Sequence, residues 1–271
     1  MRKAGQNVDR GATLREPVSL HKVLFQSLEW AMIENILLTT TSIRTHVGSQ
    51  ALTNATGFFF ERAGRLFLVT SRHVLFDEPS GHSPDRIEIE LHTDSENLAE
   101  STGFSIPLHN FGSPVWRQGS DTGGDVDVAV VEIDQSALPA TAYYAAFNEL
   151  HLGKPEDQVE LGSPLLIVGF PLGFHDTLHR LPVVRQAINA SSFAFRFGGK
   201  GYFLTDGRTH RGTSGAPVVR RTDAPDTEFP WQLLGIHSAR LDLGSRDLQL
   251  DEGLGLNVAW FADILLPLTE T

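Results

Sequence analysis

The chain of 271 residues is 41% apolar and 20% charged, which excludes a mainly disordered polypeptide and suits one large domain or two small ones sharing a core. Its 33 acidic and 22 basic residues give a formal charge of −11 with no basic block, which excludes nucleic acid and anionic membranes as natural partners. Cysteine is absent, which removes disulfides, thiolate metal sites and cysteine nucleophiles together.

Residues 1–17 are polar and aperiodic and read as a tail. Arg2 and Lys3 are followed by no apolar run of signal-peptide length, and no 18-residue apolar stretch occurs anywhere. A soluble, cytoplasmic protein without a membrane partner is expected. Leu20, Val23, Leu24 and Leu28 recur at helical spacing, with Ser19 as N-cap, so a short helix is expected over 19–35. From Ile36 the chain turns β-branched. The segment ATGFFFERAGRLFLVTS reads as strand, Ala-Gly turn, strand, and 86–93 alternate as a half-buried strand does. Residues 126–133 (VDVAVVEI) form a nearly continuous apolar strand. Residues 134–160 are mixed, with Pro139, Pro155 and an aromatic group at Tyr143, Tyr144 and Phe147. Strand patterns resume at 163–170, 181–189, 193–197, 201–205, 216–221, 231–239 and 254–260, and 261–268 read as a closing helix. The domain expectation is a tail and helix over 1–35, a first barrel over 36–140, a connection over 141–160, and a second barrel with C-terminal tail over 161–271.

Three local strings carry chemistry. In Gly212-Thr213-Ser214-Gly215-Ala216-Pro217 a serine sits on a glycine-permitted turn, with the Gly212 and Ser214 N–H groups free to face an oxyanion. The bland alternative is an ordinary Gly-rich turn. A lipase-type elbow would need glycine where Ala216 stands, and triad partners downstream of the serine. His73 ends the apolar run LVTSRHVL, and Asp127 opens VDVAVVEI. Alone, each is an ordinary strand-end residue. Together they fall in the order His, Asp, Ser, unlike the subtilisin and α/β-hydrolase orders. Asp125, two residues earlier on the same strand face, is the fallback for Asp127.

These strings resemble the motifs of chymotrypsin-like (trypsin-like) serine peptidases. TSRHVL is similar to the histidine motif of the bacterial members and DVAVVEI to their aspartate strand. TDGRTHRGTSGAPVV and the pair GSPLLIVGFPLG and LPVVRQAINAS are similar to segments of the HtrA-type branch, without a PDZ domain. The resemblance spans residues 36–262. It implies an all-β fold of two antiparallel six-stranded β-barrels with a short helix at each end. It also implies serine endopeptidase activity through an acyl-enzyme, with Ser214 as nucleophile, His73 as general base, Asp127 orienting the base, and Gly212 and Ser214 forming the oxyanion hole. Ser238 matches the family's serine that hydrogen-bonds the aspartate.

For substrate binding the resemblance points to Arg208, Thr209, His237 and Ser238. Arg208 falls where trypsin carries its pocket-floor aspartate, so cleavage after Lys or Arg is not expected. Gly235-Ile236-His237 resembles the glutamyl endopeptidases, in which a strand histidine and a pocket hydroxyl bind a Glu or Gln side chain. Thr209 and His237 stand at both positions. Thr213 replaces the aspartate that pairs with a cut N-terminus in pancreatic-type members, so activation by that salt bridge is not expected. Protein or peptide substrates and no cofactor are implied, and an activating protein partner has a place. The remaining histidines show no metal-ligand spacing. A latent or catalytically silent peptide-binding scaffold is the alternative function.

Overall fold

The structure, a computed structural model, describes residues 33–154, 157–222, 229–241 and 255–270. The expected helix over 19–35 therefore lies almost wholly outside the described residues, which open on a one-turn helix α1 (Asn35–Leu38). The first half contains β1 (Thr40–Val47), β2 (Gln50–Arg62), β3 (Arg65–Thr70), a one-turn helix α2 (Arg72–Leu75), β4 (Arg86–His92), β5 (Ser101–Pro107), the short pair β6 (His109–Asn110) and β7 (Ser113–Pro114), β8 (Trp116–Asp121) and β9 (Gly124–Ile133). The connection holds β10 (Phe147–Asn148). The second half contains β11 (Pro164–Gly169), β12 (Val183–Asn189), β13 (Tyr202–Asp206), β14 (Pro217–Arg221), β15 (Trp231–Arg240), β16 (Leu256–Phe261) and a closing helix α3 (Leu265–Leu268).

The two halves are mostly β but not alike. β11–β16 close into a six-stranded barrel in the order β11-β12-β13-β16-β15-β14. The first half is an eight-stranded sheet in the order β5-β4-β1-β2-β3-β9-β8, with β10 added beside β2. It has two strands more than the expected six, and one of them, β10, comes from the connecting segment. Phe147 pairs in parallel with Phe60 of β2, and its buried ring meets Phe58 edge-on at 5.6 Å.

Local sequence explains the hairpin at the centre of this sheet. Arg62 faces Arg65 across a two-residue turn in which Ala63 and Gly64 both have positive φ, 51° and 74°. Such turns match the right-handed twist of the strands they join. The run Phe58-Phe59-Phe60 is buried throughout because β2 is covered on both faces. Phe58 and Phe60 enter one core cluster and Phe59 another. The first of these clusters is shared between the halves, joining Phe58, Phe60, Val126 and Val128 to Val168, Ile236 and Trp260.

Residues 193–197 (FAFRF), expected as a strand, form a turn. Phe193 alone is buried, packing against Phe203 and Phe261 with both centroids at 5.0 Å, while Phe195 is 74% exposed. The aromatic alternation reflects one anchoring ring and not a sheet face.

Candidate active site

α2 begins directly where β3 ends and lifts His73 to the rim of the sheet. β9 runs antiparallel to β3, with Ala129 opposite Thr70, which brings Asp127 beside it. The Asp127 carboxylate is engaged from three directions. Oδ2 lies 2.7 Å from His73 Nδ1, Oδ1 accepts the His73 backbone N–H at 2.9 Å, and the Ser238 hydroxyl donates to Oδ2. The backbone contact ties the carboxylate to the main chain that bears the imidazole, so ring and carboxylate cannot drift apart independently.

Electrostatics follow from this packing. Burial disfavours imidazolium at His73, but the hydrogen bond and charge of Asp127, and the more distant charge of Asp77, outweigh both burial and the opposing Arg72. His73 is held above the ordinary imidazole value. Burial acts against ionised Asp127 as well. The hydrogen bond and charge of His73, with the Ser238 hydroxyl and the His73 N–H, outweigh it and hold the carboxyl below its usual range. Both directions describe a base whose protonated form is stabilised by a carboxylate that stays ionised.

Ser214 comes from the loop between β13 and β14 and lines, with His73, a cleft of about 460 Å³. Its Oγ donates to the Ser238 carbonyl at 3.0 Å. Ser238 is the bulged residue of β15, between the pairs His237–Ala259 and Ala239–Val258. Two glycines make the loop possible. Gly212 and Gly215 have φ of 89° and 86°, a region that side chains disfavour. A Cβ on Gly212 would lie 2.6 Å from the Phe170 carbonyl, and one on Gly215 would strike the Thr56 carbonyl and Thr70 Oγ1. The N–H groups of Gly212 and Ser214 find no hydrogen-bond partner among the described residues.

A family model described as a trypsin-like peptidase domain matches residues 55–224, well over half of the chain. The chain belongs to this family. Among solved structures, the trypsin-like chain is similar to the serine endoprotease from Yersinia pestis at 17% identity and a TM-score of 0.49. The match covers 86% of this chain and 62% of that one, so the chain spans less than two thirds of its length. No curated protein matches the sequence.

The substrate-binding candidates of this trypsin-like chain differ in exposure and bonding. Arg208 is exposed. Thr209 is buried, and its hydroxyl donates at 2.5 Å to Oδ1 of Asn257, whose amide nitrogen is spent on the Thr205, Gly207 and Gly255 carbonyls. His237 is 2% exposed, and its Nδ1 has no partner among the described residues. Burial, assisted by the neighbouring His73, pushes its imidazole down to about 4, so it is neutral near pH 7. Neither Thr209 nor His237 lines the cleft shared by His73 and Ser214, which is walled instead by Asn54, Asp77, His82, Leu172 and Arg211. Asp125, the fallback carboxylate, is exposed near the start of β9.

The sequence did not single out Thr56, Leu172 or Asn257, all of which brace the serine loop or the strands beside it. Thr56 leaves no signal in the string, since a threonine in a β-branched strand is unremarkable. The described residues contain no cluster of three or more His, Asp or Glu suited to a metal ion, and no helix long and apolar enough to cross a membrane.

Proposed function

We propose that the chain is a serine endopeptidase acting on protein or peptide substrates through His73, Asp127 and Ser214. The observation that carries this reading is the doubly anchored His73–Asp127 pair, whose His73 lines the same cleft as Ser214 and Gly212, with the Gly212 and Ser214 amides unspent among the described residues. Ser214 Oγ attacks the scissile carbonyl carbon as its proton passes to His73 Nε2. The oxyanion so formed faces the N–H groups of Gly212 and Ser214. Collapse expels the amine, which takes the proton from His73 and leaves an ester on Ser214. Water, deprotonated by His73, then attacks the ester carbonyl, and collapse releases the acid as His73 returns the proton to Ser214 Oγ. Proton transfer of this kind contributes on the order of 10²–10⁴-fold, and an oxyanion donor about 10²–10³-fold.

We also propose a preference for Glu or Gln before the scissile bond. His237 offers a buried imidazole with an unspent nitrogen, suited to a carboxylate or amide oxygen. The Thr209 proton is committed to Asn257, so in this reading Thr209 does not donate to the substrate side chain.

A second reading, a latent enzyme awaiting a partner or substrate, is favoured by one contact. Ser214 Oγ donates to the Ser238 carbonyl and not to His73. The test is digestion of a denatured-proteome peptide library with wild type and Ser214→Ala, reading the new termini by mass spectrometry. Cleavage lost in Ser214→Ala and clustered after Glu or Gln supports both proposals. Clustering elsewhere removes the preference alone. No Ser214-dependent cleavage removes the active-enzyme reading and leaves the latent one.

A further inference from the structure

Thr56 lies in the middle of β2, in the half of the molecule that does not carry Ser214, and it is completely buried. Every polar group it has is engaged. Its carbonyl accepts from Thr70 Oγ1 at 2.8 Å and its N–H donates to the Ser214 carbonyl at 3.0 Å. Its hydroxyl donates to the Gly212 carbonyl at 2.7 Å and accepts the Phe170 N–H at 3.0 Å.

Peptide geometry gives these contacts their meaning. In a trans peptide the N–H points opposite to the C=O of the same plane, so holding a carbonyl aims the amide on its other side. Four consecutive carbonyls of the serine loop are held. Leu172 N–H holds Arg211 O at 2.6 Å and Ala216 N–H holds Thr213 O at 2.9 Å, which aim the Gly212 and Ser214 amides. The other two, Gly212 O and Ser214 O, are both held by Thr56. The Phe170 N–H on the same hydroxyl starts the turn that delivers Leu172, so one oxygen governs the loop and also its brace.

We infer that Thr56 is a positioning residue: it fixes the 212–213 and 214–215 peptide planes on either side of the plane that carries the Ser214 amide, and through Phe170 it places the Leu172 N–H that holds the plane of the Gly212 amide, so that both amides stay turned to the developing oxyanion, an inference that rests on the peptidase reading above. Only a hydroxyl can donate to Gly212 O and accept from Phe170 N at a single atom. Valine keeps the shape and β-branching but does neither, whereas serine keeps both.

The test compares wild type, Thr56→Val, Thr56→Ala and Thr56→Ser on one peptide substrate. It also measures inhibition by the matching peptide aldehyde, whose hemiacetal with Ser214 places an oxygen at the same amides. Ground-state binding of the uncleaved peptide is read in Ser214→Ala, with and without Thr56→Val. Expected for Thr56→Val is a fall in kcat of about 10–100-fold, with KM within about twofold and aldehyde affinity reduced by a similar factor. Thr56→Ala should behave alike, Thr56→Ser should recover to within about threefold, and ground-state peptide binding should not change. The clamp is overturned alone if Ser214-dependent turnover persists with kcat unchanged, if the loss falls on KM, or if serine fails to rescue. Absence of Ser214-dependent turnover in wild type overturns the peptidase reading and the clamp with it.

Discussion

On the sheet side of the cleft the site is made of side chains, and on the barrel side the Ser214 hydroxyl stands among main-chain amides. Asp127 and His73 are joined by an ionic hydrogen bond and a backbone contact, on elements whose registers are fixed by long ladders. Opposite them, residues 212–215 contribute amide directions, with positive φ at Gly212 and Gly215 and with carbonyls held mostly by contacts from outside the loop. The two designs fail differently. A side-chain pair is lost by changing one functional group without disturbing the fold, whereas a main-chain arrangement is lost by adding a methyl group or removing a brace.

The sharpest break of the sheet side is Asp127→Asn. Asparagine keeps the shape but favours the wrong imidazole tautomer, and kcat should fall about 10⁴-fold with little change in unfolding midpoint. Steady-state kinetics beside a urea titration checks both halves of that statement. The corresponding break of the barrel side is Gly215→Ala. The new Cβ meets the Thr56 carbonyl at a backbone angle that alanine disfavours, so activity should fall about 10²-fold and stability should fall by about 3 kcal/mol. Equal loss of stability in the two variants would remove the distinction.

Acid sensitivity should also belong to the barrel. His237 titrates near 6.5 when unfolded and at about 4 when folded, so it stays neutral in the fold while the unfolded chain takes up a proton. Stability from this group is full above pH 6.5 and is lost as pH falls toward 4, by about 3 kcal/mol. His237→Leu should flatten that decline in thermal melts between pH 7 and 4, and an unchanged slope would assign it elsewhere. The smallest effect is expected from Asp77→Asn. Asp77 helps hold His73 above its ordinary value, so its removal should move the acid limb of the kcat/KM profile to lower pH. The plateau should change by less than about twofold.

The sheet side was also the more legible in sequence. His73 and Asp127 stand at the ends of apolar strings whose strand character is plain, and antiparallel pairing of β3 with β9 suffices to join them. Ser214 is legible through its flanking glycines. The braces are not, because they act across 114 and 156 residues of chain and Thr56 resembles any buried strand threonine. The strands β5 and β8 were missed because STGFSIP and WRQGSD carry glycine and polar residues that blur the alternation. Residues 193–197 misled in the opposite sense, since alternating aromatic rings look alike whether they line a sheet or anchor a turn.

The core shared by Phe58, Phe60, Val168, Ile236 and Trp260 bears on autonomy. Cutting the gene between the halves would leave each fragment with a raw apolar face where its counterpart had been. Fragments made separately should aggregate, and co-production should rescue solubility only by reassembly. The halves differ in construction, but the core they share makes each a part of the other's interior.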